Sequence, residues 1–159
     1  MIFDYNVAMI DYRFSRGTTL DAFAVRKKAF MDEQGFSYDE EPFDKTAWCL
    51  VIYWNNAPIA TASFYPEDPE TFHLRRVSVL AEFRHHKIGS YLLRYAEAKI
   101  KELGGRKVIC LVQEDKVSFY QRNGYLVAHN DEVVYEENVP HLWMEKVIVK
   151  PRYPYASKN

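Results

Sequence analysis

The stretch Leu74 to Ile100, LRRVSVLAEFRHHKIGSYLLRYAEAKI, constrains the fold more than any other part of the chain. Its opening residues alternate apolar and polar, the period of a half-buried strand. A basic turn follows, Arg84-His85-His86-Lys87, with Gly89 just beyond it. Ile88, Tyr91, Leu92, Tyr95, Ala96 and Ile100 then recur at helical spacing as one apolar stripe, so this helix must dock on a sheet. A strand that feeds a basic turn at a helix N-terminus leaves unpaired N–H groups and the positive end of the helix dipole pointing outward, which makes an anion site. A diphosphate suits the N–H groups between His86 and Ser90, with Arg84 or Lys87 beside it and Gly89 permitting close backbone approach.

The remaining elements follow from pattern and punctuation. Ala8 to Phe14 reads as a first strand. Thr18 or Thr19 caps a helix whose apolar face is Leu20, Phe23, Ala24, Lys27, Phe30 and Met31, with Arg26 and Lys28 off that face, fading near Gln34-Gly35. An acidic loop follows, with Asp32, Glu33, Asp39, Glu40, Glu41 and Asp44 and no Lys or Arg among them. Thr46 to Trp54, Ile59 to Tyr65 and Thr71 to Val79 read as a three-strand meander, turned first at Asn55-Asn56-Ala57-Pro58. After the helix and its Gly104-Gly105 stop come a short apolar strand, Lys107 to Val112, and a short helix, Lys116 to Arg122. Tyr125 to Ala128 and His141 to Val149 close the sheet, joined by a polar, acidic segment. This order predicts an α/β domain over residues 1–149: a mixed, mostly antiparallel sheet of six to seven strands flanked by helices. A right-handed parallel β-α-β crossover runs from Thr71 to Val112, and an irregular tail over 150–159 carries Pro151 and Pro154.

Charge and composition narrow the function. A formal charge of -1 excludes a chain-wide basic surface for nucleic acid, and four charges at one helix end suit one diphosphate better than a duplex. No stretch approaches 18 apolar residues and no signal pattern opens the chain, so the expected partners include no membrane and the expected location is cytoplasmic. Cys49 and Cys110 lie in apolar runs without CxxC spacing and read as buried thiols. His85-His86 lacks any accompanying Cys/His cluster, so no metal is expected. On a regular strand Arg75 and Arg76 point to opposite faces, so one at most meets a ligand.

Two motifs carry a family resemblance. VSVLAEFRHHKIGSYLL resembles motif A of the Gcn5-related N-acetyltransferases (GNAT), written (Q/R)xxGx(G/A): Arg84 fills the first position and Gly89 the last. Lys87 stands where the first glycine is usual, a position that takes other residues if its backbone is helical. VQEDKVSFYQRNGYLV resembles motif B, with Gln113, Val117, Ser118, Phe119, Tyr120, Gly124 and Tyr125 filling the pattern. The segments VRKKAFMDEQGFSYDEEPFD and NVPHLWMEK are similar to those of the ElaA-like and YjcF-like members. The resemblance spans residues 8–149 and implies the GNAT fold, with acetyl-CoA as cosubstrate and an amine as acceptor. It further implies cofactor contacts from main-chain groups of Val77, Ser78 and Val79, from Arg84, His85, His86, Lys87, Ile88, Gly89 and Ser90, and from Gln113, Ser118, Phe119 and Tyr120.

Acetyl transfer to an amine needs a donor to the thioester carbonyl, a base for the ammonium and an acid for the leaving thiolate. By resemblance the Val79 N–H is the carbonyl donor and Tyr120 the acid; a thiol pKa of about 8.5 against a phenol's of about 10 makes that transfer a small step. An aliphatic ammonium, pKa about 10.4, must lose a proton. His141, at the start of the final strand, is one candidate base, Glu33 at the end of the first helix is another, and a water relay is a third. The acidic loop would favour a cationic acceptor. A non-catalytic acyl-CoA-binding or sensing module of the same fold is the alternative, and the aromatic-rich C-terminal region offers a surface for a homodimer.

Overall fold

The computed structural model describes residues 9–36 and 40–150. The expectations for Ala8, Asp39 and most of the C-terminal tail lie outside them. Among the described residues eight strands form one sheet: β1 (Ile10–Arg16), β2 (Trp48–Trp54), β3 (Ala57–Pro66), β4 (Thr71–Val79), β5 (Lys107–Gln113), β6 (Leu126–Val127), β7 (Val133–Glu136) and β8 (Val139–Val147). They run in the order β1-β2-β3-β4-β5-β8-β6, with β7 also on β8. Every pairing is antiparallel except β4 with β5. The parallel pair is joined by α2 (Ile88–Glu102), as the strand–turn–helix pattern requires.

The sheet is covered on both faces, which explains the unbroken apolar run in β2. Leu50 and Ile52 join Phe64, Phe72 and Leu74 beneath Leu92, Leu93, Ala96 and Ile100 of α2, while Cys49, Val51 and Tyr53 turn to Ala22 of α1 (Leu20–Arg26) on the other side. Both cysteines are buried free thiols.

The structure corrects the face assigned to α1. Leu20 is 88% exposed and Ala24 and Lys27 are exposed, whereas Ala22, Val25, Arg26 and Ala29 are buried. Arg26, expected off the apolar face, has no exposed surface: its guanidinium bonds both Asp44 oxygens at 2.6 and 3.0 Å. A buried charge is tolerable when so paired and hydrogen-bonded. From Lys27 to Asp32 the helix widens into a π-helical turn, which shifts the phase of everything after it. On α2, Leu93 is buried where Tyr91 was expected, and Tyr91 is exposed.

A strand was also missed. The polar segment before the last strand contains β7, which forms a hairpin with β8 through Glu137 and Asn138, both at positive φ (48° and 63°). That two-residue turn has the twist of a type I′ hairpin without the usual Asn-Gly pair.

Candidate active site

β4 and β5 pair only from Thr71–Lys107 to Leu74–Cys110. Beyond Leu74 the register on β3 slips: Ser63 faces Arg75 but Thr61 faces Ser78, so Arg76 and Val77 oppose Ala62 alone. Arg76 takes φ 54°, and this bulge bends β4 away from β5. A cleft of about 910 Å³ opens there, lined by both strands, the α2 turn and α3 (Val117–Arg122). The bulge also overturns the expectation that strand alternation presents one arginine at most: Arg75 and Arg76 both line the cleft.

The end of β4 presents main-chain groups to this opening. Leu80 donates its N–H to the Ile59 carbonyl at 2.9 Å, which makes Val79–Ala60 the non-hydrogen-bonded pair of the ladder. Val79 therefore turns its N–H and C=O away from β3, to the side β5 has vacated. Its carbonyl accepts the Arg84 Nε–H at 3.0 Å. The other Arg84 nitrogens fork onto Glu33, Nη1 to Oε1 and Nη2 to Oε2, the latter at 2.8 Å. The motif arginine is thus committed to the strand end and to Glu33. Glu33 does not line the cleft, and its Arg84 bond holds its carboxyl below the usual carboxylate range against the opposing effect of burial.

The turn before α2 has the expected open donors. The first helical bond runs from Tyr91 N–H to the Lys87 carbonyl at 3.0 Å, so the N–H groups of Ile88, Gly89 and Ser90 have no backbone acceptor among the described residues. Lys87 sits at φ 63°, ψ 10°. Its backbone is left-handed, not right-handed helical, so the residue occupies a conformation that favours glycine. His85, Lys87, Ile88, Gly89 and Ser90 line the cleft and His86 does not. Gly89 is small for a local reason: a Cβ there would stand 2.9 Å from Phe119 Cζ. Motif A and motif B residues are therefore in direct contact.

Phe119 and Tyr120 project from α3 and pack edge-on at 5.2 Å, with Tyr125 edge-on to Tyr120 at 5.5 Å. Tyr120 is buried yet lines the cleft, and burial pushes its phenol well above the ordinary tyrosine value, so it stays protonated. Gln113 and Ser118 line the same wall, with Gln113 Nε2 donating to Gln34 Oε1 at 2.7 Å. His141 is 4% exposed and also lines the cleft. Its Nδ1–H donates to the Val139 carbonyl at 2.8 Å, so the neutral ring carries its lone pair on Nε2, which is 3.8 Å from Glu136 Oε2.

Periodicity and motifs did not single out several lining residues: Arg94, Lys116 and Arg122, which add positive charge, and Phe36 and Glu136; Phe30 was read on the apolar face of the first helix but not in the cleft. The first three sit on helix faces where a lone basic residue reads as a solvated one. Of the six loop carboxylates, Glu33 is held by Arg84, Glu41 by Arg76 at 2.6 Å, and Asp44 by Arg26 and Thr18. Half of the acidic loop's charge is thus neutralised by the protein itself, which removes much of the pull expected on a cationic acceptor.

The sequence model of the Acetyltransferase (GNAT) family matches residues 14–125, from β1 through motif B. The chain belongs to the GNAT acetyltransferase family. Its class of enzyme is accordingly acyl-CoA-dependent acyltransferase. This GNAT domain is 28% identical over 128 residues to the uncharacterized N-acetyltransferase YjcF of Bacillus subtilis, covering 79% of this chain and 90% of YjcF. It shares its fold with Escherichia coli ElaA (TM-score 0.72, 23% identity, 87% of this chain and 99% of that one). A GNAT acetyltransferase from Elizabethkingia anophelis, solved with acetyl-CoA bound, also superposes (TM-score 0.65, 17% identity, 88% and 97%).

Proposed function

We propose that this GNAT domain moves an acetyl group from acetyl-CoA to a primary amine of a small molecule or peptide, by direct attack of the amine on the thioester. The observation that carries this reading is the splay of β4 from β5, which turns the Val79 N–H into a cleft that Tyr120 also lines. The donors of Ile88 to Ser90, with Lys87 and His85 beside them, suit the diphosphate of the cosubstrate. The Val79 N–H polarises the thioester carbonyl; one fixed donor at a developing oxyanion is worth about 2.7–4 kcal/mol. His141 Nε2 takes one proton from the ammonium. The freed lone pair forms the N–C bond, the C–S bond breaks, and the thiolate receives a proton from the Tyr120 hydroxyl, which regains one from the nitrogen. Glu33 serves this reading as the partner of Arg84, not as the base. The cytoplasm, where thiols stay reduced, suits the free Cys49 and Cys110.

The test is release of the CoA thiol from acetyl-CoA in the presence of a panel of amines. Tyr120→Phe should lower kcat by about 10²–10⁴, the usual contribution of a positioned acid or base. Unchanged turnover across the pH range would remove the acid role. Acetyl-CoA binding without thiol release on any amine would remove the transfer reading.

A further inference from the structure

One end of the cleft, where β4, β7 and the π-helical turn meet, carries paired charges that the acetyl-transfer step itself does not need. Arg76 is engaged there, with Nη2 on Glu41 Oε1 at 2.6 Å and its guanidinium over the Phe30 ring at 5.1 Å. Arg75 is placed differently. Its guanidinium lies over the Phe43 ring at 5.4 Å, with Nη2 at 3.5 Å from Glu41 Oε1 and 3.7 Å from Glu136 Oε1. Both separations are longer than a strong hydrogen bond, and a side-chain bond to Tyr65 takes up one edge of the group, so the five-donor Arg75 fork is electrostatically balanced and keeps other N–H groups for a ligand. Glu136 stands in the same relation to its neighbours, 3.7 Å from Arg75 and 3.8 Å from His141 Nε2. Arg75, Glu136 and His141 all line the cleft.

The charge count selects among acceptors. Two guanidinium groups, Arg75 and Arg76, stand against two carboxylates, Glu41 and Glu136, so these fixed charges sum to zero. A plain cation would meet no net attraction there, and a plain anion would meet none either. A zwitterion matches both signs at once: its carboxylate finds the planar Arg75 fork and its ammonium finds Glu136. The two receiving groups are adjacent, so the acceptor's charges must be close together, as they are when amine and carboxylate share one carbon. Phe30 and Phe36, stacked at 5.7 Å and lining the same cleft, offer an apolar wall for a side chain.

We propose that the acceptor of this site is an α-amino acid with an apolar side chain, its carboxylate held by Arg75 and its ammonium by Glu136 beside His141 Nε2. This rests on the acetyl-transfer reading above and narrows it. The balance is unchanged: one ammonium proton passes to His141, the N–C bond forms as C–S breaks, and the products are an N-acetyl amino acid and CoA thiol. The Arg75–carboxylate pair takes no part in bond making and acts by placing the nitrogen.

The test compares matched acceptors that differ only in the carboxylate: L-phenylalanine against phenethylamine, L-leucine against 3-methylbutylamine, and L-alanine against ethylamine, read as CoA thiol release from acetyl-CoA. The amino acid of each pair should show kcat/KM higher by about tenfold or more, the scale of one hydrogen bond to a charged group. Arg75→Leu should bring that ratio to about one, and Arg75→Lys should keep part of it because the charge remains without the fork. Decarboxylated amines turned over as well as, or better than, the amino acids would overturn the proposal and leave acetyl transfer standing. A ratio that persists in folded Arg75→Leu would overturn the assignment to Arg75. Thiol release from no member of any pair would sink this proposal together with the transfer reading. The wild-type ratio needs no variant to fold.

Discussion

Replacing Glu33 by glutamine separates two roles that sequence alone leaves open. As a base, Glu33 would have to take a proton from an ammonium of pKa about 10.4 onto a carboxylate of about 4.3, a gap of roughly 6 units or about 8 kcal/mol. The structure makes this worse, because the Arg84 fork lowers the Glu33 carboxyl further and both oxygens are already occupied. As an anchor, Glu33 fixes Arg84, whose Nε holds the Val79 carbonyl at 3.0 Å. The pair is partly exposed, with side chains 40% and 32% accessible, so its stability contribution belongs to the range of about 0.2–1 kcal/mol for such ion pairs. Glutamine keeps one acceptor oxygen for Arg84. The variant should therefore lose about 3- to 10-fold in kcat, by a slight misplacement of the Val79 N–H, with the shape of the pH–rate profile retained. Linkage gives a second readout. A depressed carboxyl stabilises the fold above its unfolded pKa and loses that contribution as pH falls through the folded value. Wild-type urea midpoints should fall below about pH 4 by an increment that Glu33→Gln lacks. Initial rates between pH 5 and 9 would decide: a loss above about 100-fold, with disappearance of the basic limb, is the behaviour of a lost base and would refute the anchoring argument.

Three further outcomes follow from the packing. Asp44→Asn removes the Asp44 charge from its buried pair with Arg26 and should cost up to about 3–5 kcal/mol, read from the urea midpoint; under 1 kcal/mol would show that the pair is dispensable. Lys87→Gly should stabilise by about 0.5–1 kcal/mol, since about 1–2 kcal/mol of left-handed strain outweighs about 0.4–1 of added unfolded-chain entropy, whereas Lys87→Ala should not stabilise because it keeps the Cβ. Gly89→Ala drives a methyl to 2.9 Å from the Phe119 ring and should cost about 1–3 kcal/mol, with weaker acetyl-CoA binding by calorimetry; pairing it with Phe119→Leu should recover much of the loss.

Local chemistry made much of the fold legible. The β4–turn–α2 unit, the meander and the FY of motif B depend on neighbours in sequence, and each appears where pattern places it. What pattern missed depends on distant partners. The inner face of α1 was misassigned because a count of apolar residues cannot place Arg26 inside; the ion pair with Asp44, 18 residues on, helps make that burial tolerable. The strand β7 hid behind Glu137-Asn138, a turn whose positive φ angles are imposed by the hairpin and not by the usual residues. Arg75 and Arg76 obeyed strand alternation only in sequence, because the bulge opposite Ala62 is set by pairing with β3. Glu136 had no local signal at all: its meaning comes from Arg75 and His141 across the cleft.

The same contacts change what the acidic loop does. Read alone, six carboxylates suggest a field that draws a cation. Folded, three of them tie the segment before β2 to three different supports: Glu33 to the end of β4, Glu41 to the bulge, and Asp44 to α1. Neutralised pairs leave little field beyond the Debye length, about 8 Å at physiological salt. Those three carboxylates then add little long-range steering, and what they leave to decide falls to groups in contact with the acceptor. Arg75 and Glu136 are the charged pair at that end of the cleft held beyond bonding distance from each other. A carboxylate that bonds Arg75 gains a largely buried fork, while an amine without one leaves Arg75 with its Tyr65 bond and two carboxylates at 3.5 and 3.7 Å. Selectivity built this way should survive added salt better than a steering mechanism would, so the amino acid to amine ratio should change less between low and high ionic strength than the absolute rates do.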